Sequence, residues 1–555
     1  MTGGLMQLVG KGAQDVLFTG NPSFTHFRAM YKRHTEFAME HFRLYFKTTN
    51  LSLPQAGTLT LRVKADRNAQ LLHDCYLSVT LPDIYSPIVP QPNGSVVGSE
   101  FRWVENLGYN MINYVAVTIN GSEVVRHTGE WMKLYAALQF PKNKKDILDI
   151  MTGNIPQNHD PANSYDRINQ YPHAIYYGGP PAPSIVGSVL SIPLHFWFCE
   201  SIGHALPLIA LQHSEVEFVV ELKNIYQLFT VIDTRSTING TPNPTFKKRI
   251  AGIPSTMNAF LSPPNVFQEP TNSALTTWNL NPFIEANYIF VSDAEMAHIA
   301  TTDHSFLITQ IDLTRGDGLY GPSVDLEILM KNMVTRVVWV AQRNDRSLVN
   351  DYDNYTNWED SNKPPFTGLD LYSSGSQQLP GIFEKNILLE SSIIIDGKER
   401  FGFKQTEFFD HIQHYRHHEG TTITQLPGIY AYSFSADHKF AQPSGAINGS
   451  QFNKIILRNT YVQPPTNAVI TGGPSNTLPV CILKSTANNP NPTVVTNPNA
   501  IGSNGKPLYG PNDLITVYRK TSANTFVYTY QLRAFVESYN FLRVISGIAN
   551  VVFSS

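Results

Sequence analysis

Two stretches of this chain repeat the same strand–turn–strand order, and that repetition limits the folds open to it more than any other feature. Thr118-Ile119-Asn120-Gly121-Ser122-Glu123 and Ile394-Ile395-Asp396-Gly397-Lys398-Glu399 each close one β-branched run and open the next. Asn-Gly and Asp-Gly are the strongest two-residue hairpin signals, because a type I′ turn needs positive φ at both central residues. Strand patterns surround both hairpins: residues 59–65, 77–81, 114–119 and 216–222 in the first half, and 305–313, 324–329, 335–341, 392–395 and 454–457 in the second. Helical patterns are few. Residues 123–138 and 404–415 are the best, and each follows one of the hairpins. Further matches keep the order: Phe196-Trp197-Phe198 with Tyr432-Ser433-Phe434, Ala205 and Pro207 with Ala441 and Pro443, Ala210 with Ala446, and Val219-Val220 with Ile455-Ile456. One β-sandwich or barrel built twice is the economical reading. Its loops differ between copies: 142–184, 344–380 and 459–525 are long and rich in Asn, Pro, Ser, Thr, Gly and Tyr, and 230–278 mixes the end of the first copy with an excursion.

Length agrees with a duplication, since 555 residues exceed the roughly 250–300 at which a single core stops growing. Charged residues are only 15%, against about 25% in an average soluble domain, so the outer surface is either covered by partners or made of uncharged polar groups. With 41 basic and 44 acidic side chains there is no overall positive field to hold nucleic acid. The three cysteines, Cys75, Cys199 and Cys481, are far apart and in no C-x-x-C spacing, which argues against a disulfide scaffold or zinc ribbon and fits a reducing compartment. No apolar run has membrane-spanning length; the nearest, 189–211, is broken by His195, Glu200 and His204. Neither a signal-peptide pattern nor a myristoylation signal is expected, Thr2 standing where the latter needs glycine.

Reactive chemistry is thin. His411, His414, His417 and His418 have helical spacing for a metal, but no cysteine and no carboxylate besides Glu419 joins them, so a polar helix end is expected instead. None of the 17 histidines forms the H-x-H pair that a cupin-type barrel needs. Asp351-Tyr352-Asp353-Asn354-Tyr355 suggests calcium and breaks the EF-hand pattern. Arg315-Gly316-Asp317 matches an adhesion tripeptide if it sits at a loop tip, a weak three-residue match. We expect no catalytic, cofactor-binding or metal-ligating residues. Of the N-x-S/T sites at Asn50, Asn93, Asn120, Asn239, Asn354 and Asn448, the best placed for glycan are Asn93 and Asn354, on long loops, while Asn120 belongs to the tight hairpin.

The N-terminus carries Gly3-Gly4-Leu5, Gln7-Leu8-Val9, Gly12-Ala13-Gln14-Asp15-Val16, Thr19-Gly20-Asn21-Pro22 and Tyr31-Lys32-Arg33-His34-Thr35 in order. Leu206-Pro207-Leu208-Ile209-Ala210-Leu211-Gln212 follows, then Asp396-Gly397 with Arg400-Phe401, Gly428-Ile429-Tyr430 with Tyr432-Ser433-Phe434, and Gln442-Pro443-Ser444-Gly445. The series ends in Tyr539-Asn540, Leu542-Arg543 and Ser546-Gly547. This set resembles the major capsid proteins of nucleocytoplasmic large DNA viruses. Gly10-Lys11 and the insertion around 464–521 depart from the family pattern.

The resemblance implies an all-β chain of two consecutive eight-stranded antiparallel jelly rolls, with long decorated loops and few short helices. It divides the chain into an inner-face arm (1–26), a first roll (27–293), a linker (294–303) and a second roll (304–555). It puts loops near 84–102, 142–184 and 344–380 on the outer face. It also implies a homotrimer forming a capsomer of hexagonal outline, contacts with neighbouring capsomers and with minor capsid proteins, no direct nucleic-acid contact, and an internal membrane met only indirectly. The expected location is the virion, after assembly in the host cytoplasm. The alternative is a jelly-roll spike or minor capsomer that binds a receptor or glycan, suggested by the aromatic segments 171–177 and 351–358.

Overall fold

The computed structural model describes residues 3–48, 51–90, 96–168, 170–175, 180–233, 237–238, 241–242, 248–251, 257, 260–264, 277–319, 321–344, 346–347, 350–358, 361, 385–420, 426–438, 442–462, 479–483, 493–495, 514–518 and 529–553. Eight strands build the first half: β1 Phe37–Tyr45, β2 Leu59–Lys64, β3 Leu71–Thr80, β4 Ile112–Ile119, β5 Ser122–Thr128, β6 Val189–Pro193, β7 Val216–Leu222 and β8 Phe283–Val291. They pair in the orders β1-β8-β3-β6 and β2-β7-β4-β5, antiparallel throughout. Eight more build the second: β9 His304–Leu319, β10 Val324–Glu327, β11 Met333–Arg343, β12 Leu388–Ile395, β13 Lys398–Glu399, β14 Ile429–Ser433, β15 Ile455–Tyr461 and β16 Tyr530–Ile545. Their orders are β9-β16-β11-β14 and β10-β15-β12-β13, the first pattern repeated with every number raised by eight. Two jelly rolls therefore stand in series. The helix Asp293–Thr301 lies between them.

Both hairpins adopt the turn that their residues demand. Asn120 and Gly121 have φ of 52° and 78°, and Asp396 and Gly397 have 48° and 77°. The repeat extends to the side chains. Asn120 Oδ1 accepts from Glu215 N at 2.9 Å, and Asp396 Oδ1 accepts from Lys454 N at 2.9 Å, so each turn is tied to the start of the strand that returns beside it. These bonds also correct the sequence match. Ile119 pairs with Val216 and Ile395 with Ile455, making Val216, not Val219, the counterpart of Ile455. Two β-branched pairs three residues apart look alike in sequence, and only the cross-strand partner separates them. A Cβ at Gly397 would meet nothing within 4 Å, so Gly397→Val tests backbone conformation alone. Forcing a β-branched residue to positive φ should cost roughly 1–2 kcal/mol. A lowered denaturation midpoint is expected; an unchanged one would contradict the turn.

The helix expected from residue 123 begins later. Ser122–Thr128 is strand β5, paired with β4, and α1 spans Gly129–Gln139, its first turn capped by Thr128 Oγ accepting from Trp131 N at 3.1 Å. Once the Asn-Gly turn has set the hairpin register, the backbone groups of residues 122–128 are committed to the ladder. Likewise Lys404 and Gln405 pair with β12, and helix starts only at Thr406, passing through a π-helical turn, Phe408–Ile412, and running on to His417. The runs named from sequence match nine of these sixteen strands and omit β1, β5, β6, β8, β13, β14 and β16, which complete the sheets. The stretch 142–184 is not all loop: α2 spans Lys142–Met151. The excursions of the first roll form a sheet of their own, in which the hairpin Ile88–Pro90 and Val96–Trp103 pairs with Phe229–Asp233 and then Lys248–Ala251.

Each roll has an apolar core, around Leu77, Val117, Phe196, Phe218 and Tyr288 in the first and Val337, Trp339, Ile393, Leu457 and Val536 in the second, and the first core also takes in Ile308, Leu542, Val544 and Ala549 from the second roll. A third cluster joins them. Trp131, Leu134, Ala137 and Leu138 on α1 pack on Val338, Val340, Tyr355, Ile429, Ala431 and Phe535 of the second roll. Met132 and Ala136 on the same helix belong to the first core. A helix apolar on both faces is one that must be covered on both. Gly420 closes the contact by donating to the Leu138 carbonyl at 2.8 Å; a Cβ there would lie 1.8 Å from Ala137 O.

Candidate assembly surfaces and the seam between the rolls

The strand β11 leaves the second roll and enters a connection whose residues 350–358 reach across to the first. Asn350 donates to the carbonyls of Tyr226 (2.5 Å) and Phe229 (2.9 Å). Asp353 is buried and accepts from Asn106 (2.7 Å), Asn110 (3.0 Å) and the ammonium of Lys133, which is itself buried on α1. Tyr355 donates to Glu130 at 2.9 Å, and Arg533 of β16 pairs with the same carboxylate at 2.8 Å. Burial works to raise the Glu130 carboxyl, but Arg533 and Lys133 outweigh it and hold the group below its usual range. These contacts form a clasp. Every buried charge in it has an opposite partner, the condition under which such groups are tolerated.

A second polar group lies farther along the seam. Arg336 on β11 is fully buried, pairs with Glu537 on β16 (Nε to Oε2 2.8 Å), and sits over the rings of Trp131 (5.6 Å) and Tyr135 (5.8 Å). His418 stacks on His438 at 5.5 Å and meets the edge of His414 at 5.5 Å. The histidine run noted in the sequence is thus split. His414 and His418 turn inward to join His438, whereas His417 Nδ1 meets Ala436 O at 3.0 Å and His411 pairs with Asp410. Among the described residues no group of three or more His, Cys, Asp or Glu could hold a metal ion. A cavity of about 600 Å³ opens beside this network, lined in part by Tyr135, Phe140, His195, Trp197, Glu200 and Arg336. Glu200 is open to the space of the cavity yet surrounded by protein; that enclosure, then the like charge of Glu537, push its carboxyl up to about 7.

The other conspicuous surface is the N-terminal segment. Residues 3–36 form two short helices, Gly3–Val9 and Asp15–Thr19, and then run without strand to β1. Leu8, Val9, Leu17, Phe18, Phe27 and Tyr31 all project into solvent, Phe27 at 99% exposure. So many large apolar side chains on one uncovered segment mark a surface that binds something.

Family models match both halves. One described as major capsid protein N-terminus covers residues 25–247, and one described as large eukaryotic DNA virus major capsid protein covers 295–489. The chain belongs to the major capsid proteins of large eukaryotic DNA viruses. The major capsid protein of Phaeocystis pouchetii virus is 26% identical, over 85% of this chain and 96% of its own length. That of Paramecium bursaria Chlorella virus 1 is 23% identical with both chains fully covered. In fold the chain is similar to PBCV-1 VP54 (TM-score 0.59, 18% identity, 96% and 100% of the two chains) and to the Faustovirus major capsid protein (0.57, 11%, 98% and 96%).

Several expectations change on this capsid protein. Arg315-Gly316-Asp317 lies within β9, opposite β16, and not at a loop tip. Asn354 is buried, its Nδ2 donating to Trp358 O (3.0 Å) and its Oδ1 accepting from Thr356 (2.7 Å), so the folded chain leaves no room for a glycan there. Asn93 lies outside the described residues, as do Asn50 and Asn239. The aromatic stretch 351–358 is no open platform for sugar: Tyr355 is fully buried and Tyr352 packs against the first core. Sequence reasoning passed over Asp353 as a failed calcium ligand. Its partner Lys133 was the missing signal, a lysine inside the otherwise apolar run Trp131–Leu138 of α1.

Proposed function

We propose that this chain builds the outer shell of an icosahedral virion, three copies joining into a capsomer of hexagonal outline that tiles with its neighbours. The observation that carries the reading is the repeated strand order of two rolls in a chain of this family. Locked together by the clasp, two similar rolls give each chain two lobes, and three chains give six. In this reading the chain divides into an arm (1–26), a roll (27–293), a linker (294–303) and a second roll (304–555). The exposed apolar arm meets neighbouring capsomers or minor capsid proteins at the inner face. Nucleic acid is not contacted directly, and an internal membrane only through other proteins.

Native mass and negative-stain images of the purified protein test this: a trimer of hexagonal outline that forms arrays is expected. A monomer that binds glycan and forms no lattice would replace it with the spike or minor-capsomer reading. Removing residues 1–26 should leave a folded trimer with nearly unchanged melting temperature and abolish array formation, because the side chains described in this segment are all exposed. Failure of the truncated chain to fold would place the arm in the core.

A further inference from the structure

Two of the three cysteines, 124 positions apart (199 − 75), are brought together by the fold. Cys75 lies in β3, and Cys199 ends the short 3-10 turn Trp197–Cys199 that follows β6. A bulge in β3 aims Cys75. Ala286 pairs with Cys75 and Asn287 with His73, leaving Asp74, at φ 31°, as the extra residue. The bulge lets Leu72 and Cys75 both face the core although three positions separate them, where unbroken alternation would turn one of them outward. The turn is fixed to β3 on both sides of the thiol: Leu194 N donates to Cys75 O at 3.1 Å, and the His73 Nδ1 meets Phe198 O at 2.5 Å. Both thiols line the seam cavity, on the two elements that these bonds hold together. Cys75 is buried and Cys199 is partly exposed, so a small reagent entering the cavity reaches Cys199 first.

We propose that Cys75 and Cys199 form a disulfide when the folded protein meets an oxidising mixture of small thiols and disulfides, stapling β3 to the turn after β6. The Cys199 thiolate attacks one sulfur of a small disulfide such as oxidised glutathione, releasing one glutathione thiolate and leaving a mixed disulfide. The Cys75 thiolate then attacks the Cys199 sulfur and releases the second glutathione. Two protein thiols are oxidised, one glutathione disulfide is reduced to two thiols, and the two protons that the cysteines give up are taken, through solvent, by the two released glutathione thiolates. Burial, and then the neighbouring thiol, push Cys75 well up, so the second step is the slow one and quickens with rising pH. Such a bond suits a protein made in a reducing cytoplasm and used outside it, and its formation does not depend on the shell-building reading.

The test is to incubate the native full-length protein with oxidised glutathione at pH 8, quench in acid, alkylate, and map peptides without reduction. The expected product joins the Cys75 and Cys199 peptides with loss of two hydrogens, leaves Cys481 outside the link, and raises the melting temperature by several degrees. Cys75→Ser should stop at glutathionylated Cys199, and Cys199→Ser should lose roughly tenfold or more in the rate of reaction at Cys75. If either variant fails to fold, the map of the native protein decides by itself. Both thiols remaining alkylatable in the folded protein, Cys199 held as a mixed disulfide that never closes, or a link through Cys481 would each overturn the proposal.

Discussion

Lowering the pH from 7.5 to 5 is expected to remove about 4 kcal/mol of folding stability through two histidines, and a third adds to the loss. His127, His414 and His418 are buried, and burial depresses all three, His127 to about 4 and His414 to about 3, with His418 well below its usual value. The unfolded chain has histidines near 6.5, so between there and the folded values the unfolded state binds protons that the folded state refuses. Stability is therefore present above about pH 6.5 and drains away as the pH falls below it. At pH 5 His127 and His414 each contribute a loss of about 2 kcal/mol, since both folded values lie below 5, and His418 adds to it in the same direction. His195 and His438, pushed to about 3 and about 2, act in the same direction from the cavity wall. Glu200 acts in the opposite one: its carboxyl is raised, so its ionisation weakens the fold as pH rises from about 4.5 to about 7, and acid relieves it. One such group offsets only part of five. The total is comparable to the 5–15 kcal/mol by which domains are stable at all. Denaturant titrations at pH 8, 7, 6 and 5 should show midpoints level down to about 6.5 and falling steeply below, with a shallower fall in His418→Phe. A flat profile to pH 5 would show that these rings are protonated without cost.

Asp353→Ala should be the most damaging single change at the clasp, costing about 3–5 kcal/mol. It removes the only carboxylate bonded to Lys133 among the described residues, where the side chains are 2% and 3% exposed. The penalty is mostly the charge left behind. For that reason Lys133→Met combined with Asp353→Leu should recover most of the loss, since an apolar pair of similar volume needs no compensation. Equilibrium unfolding of Lys133→Met, of Asp353→Leu and of the double variant closes the cycle. If the double variant is as unstable as the sum of the singles, the two side chains do not act as a pair, and the seam rests on the apolar face of α1 instead.

How far the sequence revealed this arrangement depends on the distance over which each feature acts. Asn120-Gly121 and Asp396-Gly397 were legible because a type I′ turn is decided by two adjacent residues. Strands β7 and β12 were legible because alternation is local. The end of the hairpin at Thr128 was not, since Val124 and Val125 fit a helix as well as a strand until the partner strand is known. Nor could sequence say which of four nearby histidines turn inward, because His438, which receives them, lies beyond the next strand. The clasp is the extreme case. Asp353 and Lys133 are 220 positions apart, and each alone reads as an ordinary polar residue. The cysteines show the same limit: Cys75 and Cys199 are free, as their spacing suggested, but spacing could not say that both would line one cavity.

The clasp also imposes an order of events on a growing chain. Strand β8 ends at Val291, but Asp353 is still to be synthesised, and at about 5–20 residues per second its arrival takes several seconds more. During that interval α1 shows Trp131, Leu134 and Leu138 to the surroundings, with Lys133 kept in water. On a crowded polysome, a first roll in that condition can receive the second roll of the neighbouring nascent chain as readily as its own. Exchange of clasps between adjacent copies is the misassembly that this architecture invites, and chaperones that shield α1 until Asp353 emerges would raise the yield of correctly closed subunits.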